Sequence, residues 1–320
     1  MTTYLVTGAS GFVGQALCAA LRSSGGSLRL LTRNSSAPPG STANDSVIRA
    51  EPGAATDWPR VMQGVDCVVH LAARTHVMRE TAADPLAEYR RVNVDLTRDL
   101  ARAAAAAGVR QFVFLSSIKV NGEVTHGAAF SEESAPHPQD YYGHTKWEAE
   151  QVLAAESGVA SVILRPPLVY GPGVRGNFLR LMRAVARGLP LPLGAVANRR
   201  SLVYLGNLVD AIVICATQAA AAGRTYLIAD DAVSTPDLVR HLAVALGKPA
   251  RLLNVPPPVL KLAGAITGKT DAMARLTGSL VVDSALIRRE LGWHPRCTMA
   301  QGLGETARWY YRAADAPQTH

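Results

Sequence analysis

The sequence predicts an α/β protein: a doubly wound parallel sheet with helices on both faces, joined to a second, smaller domain. Three observations carry this. Apolar strand-like runs alternate with helix-like segments through the first half of the chain, a glycine-rich turn follows the first of those runs, and the texture changes after Arg165. The 320 residues suit one large domain or two modest ones.

In order, strand-like runs fall at residues 4–7, 28–32, 66–71 and 112–116, with a helix expected over 14–23. A long helix is expected after Asp84-Pro85, where Asp84 would cap the first turn, Pro85 fits the first helical position and Gly108 lies past the alanine-rich end. A second helix is expected from about Tyr141 to Glu156, stopping at Gly158, with a strand over 161–164. Then prolines and glycines crowd residues 166–173, and the chain is expected to leave the sheet, return for 201–217 and 225–229, and leave again near Ser234. The expected domains are therefore 1–165 with 201–233, and 166–200 with 234–320.

With 48% hydrophobic and 18% charged residues, the composition excludes a disordered tail protein, a disulfide miniprotein and a collagen-like chain. Lys and Arg number 33 against 25 Asp and Glu, a formal charge of +8, yet the basic residues never form a run longer than Arg90-Arg91, Arg199-Arg200 or Arg288-Arg289. A basic arm is absent, so no nucleic-acid partner is expected, and anionic small molecules better explain the charge. Cys18, Cys67, Cys215 and Cys297 form no CxxC pair, which argues against a metal or disulfide framework and for a reducing, cytoplasmic setting. The longest apolar stretch, residues 255–266, is short and proline-broken, and no export signal is read at the start, so no membrane insertion is expected.

The chemistry begins at Thr7-Gly8-Ala9-Ser10-Gly11-Phe12-Val13-Gly14. A glycine turn between strand and helix lets backbone N–H groups approach a pyrophosphate at the positive end of the helix. The second strand ends Leu30-Leu31-Thr32-Arg33-Asn34, with no acid between Ser23 and Asn44 to accept from ribose hydroxyls; Arg33 suits a 2′-phosphate instead, which favours NADP, with NAD the alternative. Tyr142 and Lys146 are four apart and share a helix face, where an ammonium would lower the phenol's pKa; Tyr141 lacks such a partner. Ser116-Ser117 ends the preceding strand. Five histidines lie from His70 to His144 without ligand spacing, so no metal is expected; His76 lies just past a strand end.

Turn, serine, tyrosine and lysine in this order resemble the extended short-chain dehydrogenase/reductase family, the branch of NAD(P)-dependent nucleotide-sugar epimerases, dehydratases and reductases. Further matches are His70-Leu71-Ala72-Ala73, Asn93, Leu164-Arg165-Pro166-Pro167, residues 169–173 and residues 290–295, so the likeness spans essentially the whole chain. It implies a Rossmann-type sheet with a nucleotide-sugar-binding second domain. Tyr142 would be the acid/base, Lys146 would bond the nicotinamide ribose, and Ser117, whose spacing to Gly122 fits the family, would bond the reacting oxygen. The dinucleotide would be held by Gly8, Gly11, Phe12, Val13, Gly14, Arg33, Glu51, Leu71, Ala72, Ala73, Tyr142, Lys146 and Pro166, with Glu51 departing from the family's usual Asp. Ser117, Asn177, Arg200 and Arg275 would bind substrate. The resemblance also implies a homodimer through the helices that begin at Asp84 and Tyr141.

Two reactions share this machinery. A net reduction draws on an exchangeable NADPH pool, which Arg33 suits, and residues 116–123 with 275–283 resemble reductases of UDP-4-keto-6-deoxy-N-acetylhexosamines of surface polysaccharide pathways. The expectation is thus an NADP(H)-dependent 4-keto reductase, with an NAD-dependent UDP-hexose or UDP-N-acetylhexosamine 4-epimerase as the alternative, and a non-enzymatic NADP-binding sensor behind both.

Overall fold

The computed structural model describes residues 1–33, 36–51, 53, 55–75, 82–266 and 270–315; Asn34 and His76 lie outside them. In chain order the elements are β1 (Thr3–Thr7), α1 (Phe12–Ser23), β2 (Ser27–Thr32), β3 (Ser46–Arg49), α2 (Trp58–Met62), β4 (Cys67–His70), α3 (Pro85–Arg90), α4 (Leu96–Ala106), β5 (Gln111–Leu115) and α5 (Tyr141–Ala155). There follow β6 (Ser161–Arg165), β7 (Leu168–Tyr170), α6 (Gly176–Ala186), β8 (Arg200–Tyr204), α7 (Leu205–Thr217), β9 (Thr225–Leu227), β10 (Ala232–Val233), α8 (Thr235–Ala245), α9 (Pro257–Ile266), α10 (Thr270–Thr277), α11 (Ala285–Leu291) and α12 (Met299–Asp315).

Among the described residues the main sheet has seven parallel strands in the order β3-β2-β1-β4-β5-β6-β9. Strand order reverses between β1 and β4, and in such sheets the ligand crevice opens there, beyond the carboxyl ends of the strands. Successive residues face opposite sides, so Val6, Val69 and Val113 meet α1 and α7, while Leu5, Val68, Phe112 and Phe114 meet α4 and α5. Helix α1 buries Gly14, Leu17, Cys18 and Leu21, one stripe at helical spacing. Asp84 caps α3 and Asp140 caps α5, their carboxylates accepting from Ala87 N at 3.0 Å and Gly143 N at 2.7 Å. Such caps are worth about 1 kcal/mol each.

Two features differ from the expected layout. The helix after Asp84 is interrupted by one π-turn over Arg91–Asp95, where buried Asn93 sits. The expected return of the chain at residue 201 begins with β8, which joins β7 and β10 in a separate three-stranded sheet; only α7 and β9 rejoin the large one. Pro166 and Pro167 lack the N–H groups that would extend the ladder of β6, so the chain turns off and β7 offers its edge to β8. A core of Tyr170, Phe178, Met182, Leu202, Leu238, Leu242 and Leu303 fills this second part. No described helix is long and apolar enough to cross a membrane.

Candidate active site

The turn after β1 is shaped by two glycines that no larger residue could replace. Gly8 has φ +71°, and a Cβ there would lie 2.8 Å from Ala72 N; a Cβ on Gly14 would fall 2.1 Å from Gly8 O. The first turn of α1 therefore sits on the loop itself. Gly11 caps α1 without a side-chain hydrogen bond, and no acid occupies the first turn, so the helix end is left for an outside anion.

Thr7 ties this turn to the end of β4. Its Oγ1 accepts from Leu71 N at 3.2 Å and Ala72 N at 3.0 Å and lies 2.6 Å from His70 Nδ1, while His70 Nε2 lies 2.9 Å from Thr97 Oγ1. Thr97 donates its own proton to Asn93 O at 2.7 Å, so its oxygen accepts from Nε2–H and Nδ1 accepts from Thr7. Burial, reinforced by the charge of Lys146, holds this imidazole well below its ordinary pKa and keeps it neutral. His70 is thus a core hydrogen-bonding residue.

The π-turn turns Asn93 inward. Its amide accepts from Arg74 N at 2.7 Å and donates to Arg74 O at 3.1 Å and Thr145 Oγ1 at 3.0 Å, clamping the loop after β4 to α5. Insertions of one residue in a helix recur at functional sites for this reason: they re-aim a side chain.

A cleft of about 820 Å³ opens above the strand ends. Gly8, Gly11, Phe12, Val13, Gly14, Arg33, Leu71, Ala72, Ala73, Ser117, Tyr142, Lys146 and Pro166 all line it. Glu51 does not: its side chain is exposed, 3.9 Å from Arg49. Lining residues that the sequence reading did not single out include Ser10, Thr32, Arg74, Thr75 and Pro38. The flanking motifs held signals for some of these, but nothing local marked residues 36–39.

Ser117 and Tyr142 come together in one wall of the cleft, where the serine hydroxyl favours ionisation of the phenol. Ser116 points away, buried and donating to Glu150, which is also gripped by Arg165. Removing one partner of such a buried pair costs about 3–5 kcal/mol, so the wall behind the site is stiff. Burial, then the charge of Asp140, push the Tyr142 phenol above its ordinary value, opposed by the hydroxyl of Ser117.

Lys146 departs from its expected behaviour in the chain by itself. The residue is 1% exposed, its ammonium lies 4.1 Å over the Phe114 ring and has no hydrogen-bond partner among the described residues, and burial lowers its pKa to about 7. Its titration is thereby brought close to neutral pH. A buried cation facing a cleft without a partner fits hydroxyls arriving from a ligand.

Of the expected substrate residues, Arg200 and Arg275 are brought together. Arg200 donates to Gly278 O at 3.1 Å, Arg275 Nε stands 3.6 Å from Glu123, and each arginine lies within the other's field. Burial lowers Arg200's pKa; Glu123 opposes this and Arg275 adds to it. Asn177 is exposed in the first turn of α6, outside the cleft lining. Lys119, Glu123 and Asp140, unassigned by the sequence reading, form an ion-pair chain beside Ser117. Among the described residues no three His, Cys, Asp or Glu side chains gather in a metal-binding group.

Comparison with known proteins gives a consistent picture. The model of the NAD dependent epimerase/dehydratase family matches residues 4–229. The chain is 43% identical over 318 residues to a UDP-glucose 4-epimerase of Vibrio cholerae, covering 97% of this chain and 95% of that one. It is 29% identical over 271 residues to the N-acetyl-alpha-D-glucosaminyl-diphospho-ditrans,octacis-undecaprenol 4-epimerase of Escherichia coli O157:H7, covering 79% and 80%. Among solved structures, MoeE5 in complex with UDP-glucose and NAD superposes with a TM-score of 0.76 at 27% identity, over 98% of this chain and 99% of the other.

Proposed function

The chain belongs to the NAD dependent epimerase/dehydratase family, and we propose that it is a 4-epimerase of UDP-linked hexoses or N-acetylhexosamines. The sequence alone favoured a 4-keto reductase; the end-to-end likeness to a 4-epimerase at 43% identity is the observation that carries the epimerase reading instead.

The residues present fit a nicotinamide dinucleotide. Gly8, Gly11 and Gly14 shape a turn at an uncapped helix end suited to its pyrophosphate. Lys146 Nζ, buried without a partner, suits ribose hydroxyls. When bound, the dinucleotide supplies reversible hydride exchange at a carbinol carbon.

This chain's own groups do the rest. Tyr142 takes the proton from the sugar's C4 hydroxyl and later returns it, and Ser117 holds that oxygen in place. A phenol with a raised pKa stays protonated at neutral pH and cannot take up a proton until it ionises, so charging of Lys146 by new hydroxyl partners, which favours the phenolate, is what brings Tyr142 into working range. Arg200 and Arg275 hold the diphosphate, which leaves the sugar free to turn and present either face at C4.

Epimerisation has no net redox change and can retain NAD, as bound in MoeE5. One observation favours the reductase: Arg33 lines the cleft at the end of β2, where a 2′-phosphate would find it. Purified protein given UDP-glucose or UDP-N-acetylglucosamine and no added cofactor is expected to form the C4 epimer, followed by proton NMR. Turnover only with NADPH and a UDP-4-keto sugar, consumed one for one, would replace the epimerase by the reductase.

The free cysteines, three of them buried, support a reducing, cytoplasmic setting. Tyr141, 51% exposed at the start of α5, supports a homodimer through α3, α4 and α5. Sedimentation checks that assembly.

A further inference from the structure

Glu123 stands one residue after Gly122, in the loop that leaves β5 and carries Ser117, and its two oxygens are divided between different cations. Oε1 accepts from Lys119 Nζ at 2.8 Å, and Oε2 faces Arg275 Nε at 3.6 Å. Lys119 also pairs with Asp140, the cap of α5 two residues before Tyr142. Arg200 feels Glu123 and Arg275 with opposite sign. The five groups come from the β5 loop, the cap of α5, β8 and α10, and with three cations against two carboxylates they carry a net charge of about +1.

The contact with Arg275 is single and long, whereas a bidentate arginine–carboxylate pair closes two bonds at about 2.7–2.9 Å. The contact with Lys119 is short. A carboxylate so placed relieves the repulsion between Arg200 and Arg275 in the free protein, yet can give up Arg275 without losing Lys119. An incoming diphosphate offers both arginines more acceptor oxygens and more charge than one carboxylate does.

We propose that Glu123 is an internal stand-in for the substrate's diphosphate: it holds Arg275 beside Arg200 in the free enzyme and yields Arg275 when a nucleoside diphosphate binds, keeping Lys119. Glu123 thereby weakens the hold on diphosphate and speeds release of nucleotide-sugar product. This rests on reading Arg200 and Arg275 as the diphosphate ligands.

The test is titration calorimetry of UDP binding to the purified enzyme with its dinucleotide, at low salt. Glu123→Gln removes the charge at nearly constant volume and is expected to tighten UDP binding about two- to fivefold, the range spanned by one partly exposed ion pair. Glu123→Asp keeps the charge and is expected to bind UDP within twofold of the parent. The effect should shrink at high salt. Unchanged or weaker binding by Glu123→Gln overturns the proposal, and equal tightening by both variants overturns it too, because length and not charge would then be responsible. Arg200→Ala and Arg275→Ala separate the two ideas. If either weakens UDP binding, the diphosphate reading stands whatever Glu123 does; if neither does, that reading falls and takes the stand-in with it.

Discussion

Replacing Lys146 by methionine should make the cofactor-free protein more stable while destroying its activity. The lysine is 1% exposed, and burial brings its pKa from 10.5 to about 7. At about 1.4 kcal/mol for each tenfold in proton affinity, holding that group in the native state costs about 5 kcal/mol where both the native and the unfolded chain would carry the charge. The sign follows from proton counting. Between pH 7 and 10.5 the unfolded chain binds more protons at this site than the native one, so stability rises with pH there; below pH 7 the cost is complete, and near 10.5 it is gone. Methionine fills similar volume without charge but forfeits the contact with the Phe114 face at 4.1 Å, so the expected gain at pH 6.5 is about 3–5 kcal/mol. Urea unfolding of both proteins from pH 6.5 to 10, without dinucleotide, measures it. A gain that does not shrink toward pH 10, or a variant no more stable than the parent at pH 6.5, would refute the reasoning. Saturating NAD should narrow the difference, because it gives the ammonium partners only in the parent.

Other expectations follow from the same geometry. Tyr142→Phe should lower kcat about a thousandfold with dinucleotide affinity unchanged within a few fold, and Ser117→Ala should lower it about tenfold to a hundredfold, both read by steady-state kinetics. Arg33→Asp should weaken NADP binding at least about tenfold and leave NAD binding nearly unaffected, measured by nucleotide fluorescence; equal NADP affinity would remove the argument for a 2′-phosphate contact. Asp230 has its carboxyl pushed up to about 6 by burial, opposed by Tyr204 N donating to it at 2.7 Å. Its cost is absent below about pH 4 and complete above pH 6, so Asp230→Asn, which keeps an acceptor for Tyr204, should be more stable by up to about 3 kcal/mol at pH 8, with the gain vanishing toward pH 4.

Much of the fold and part of the site could be read without coordinates, because the signals are local. Period-two and helical spacing placed β1, β2, β4, β5 and β6 and the helices around them to within a few residues. The glycine turn is legible because part of its constraint is local, the positive φ of Gly8 and the approach of Gly14 to Gly8 O within seven residues; the approach of Gly8 to Ala72 is not. Tyr142 and Lys146 are paired by a spacing of four. Asp140 could have been found as an acid directly before a helix start.

The remainder depends on which distant residues meet. The resemblance already picked Ser117 over Ser116 by its spacing to Gly122, but the physical reason is tertiary: Glu150 and Arg165, brought in from α5 and β6, claim Ser116. The pairing of β8 with β7, and the meeting of Arg200, Arg275 and Glu123, join segments up to 152 residues apart that no periodicity connects. The lowered pKa of Lys146 follows from desolvation, which depends on everything packed around a group and on nothing in its immediate sequence. The order of residues thus determined the elements and the chemical types at the strand ends. Tertiary packing decided their protonation, their partners and which charges were left available for a ligand.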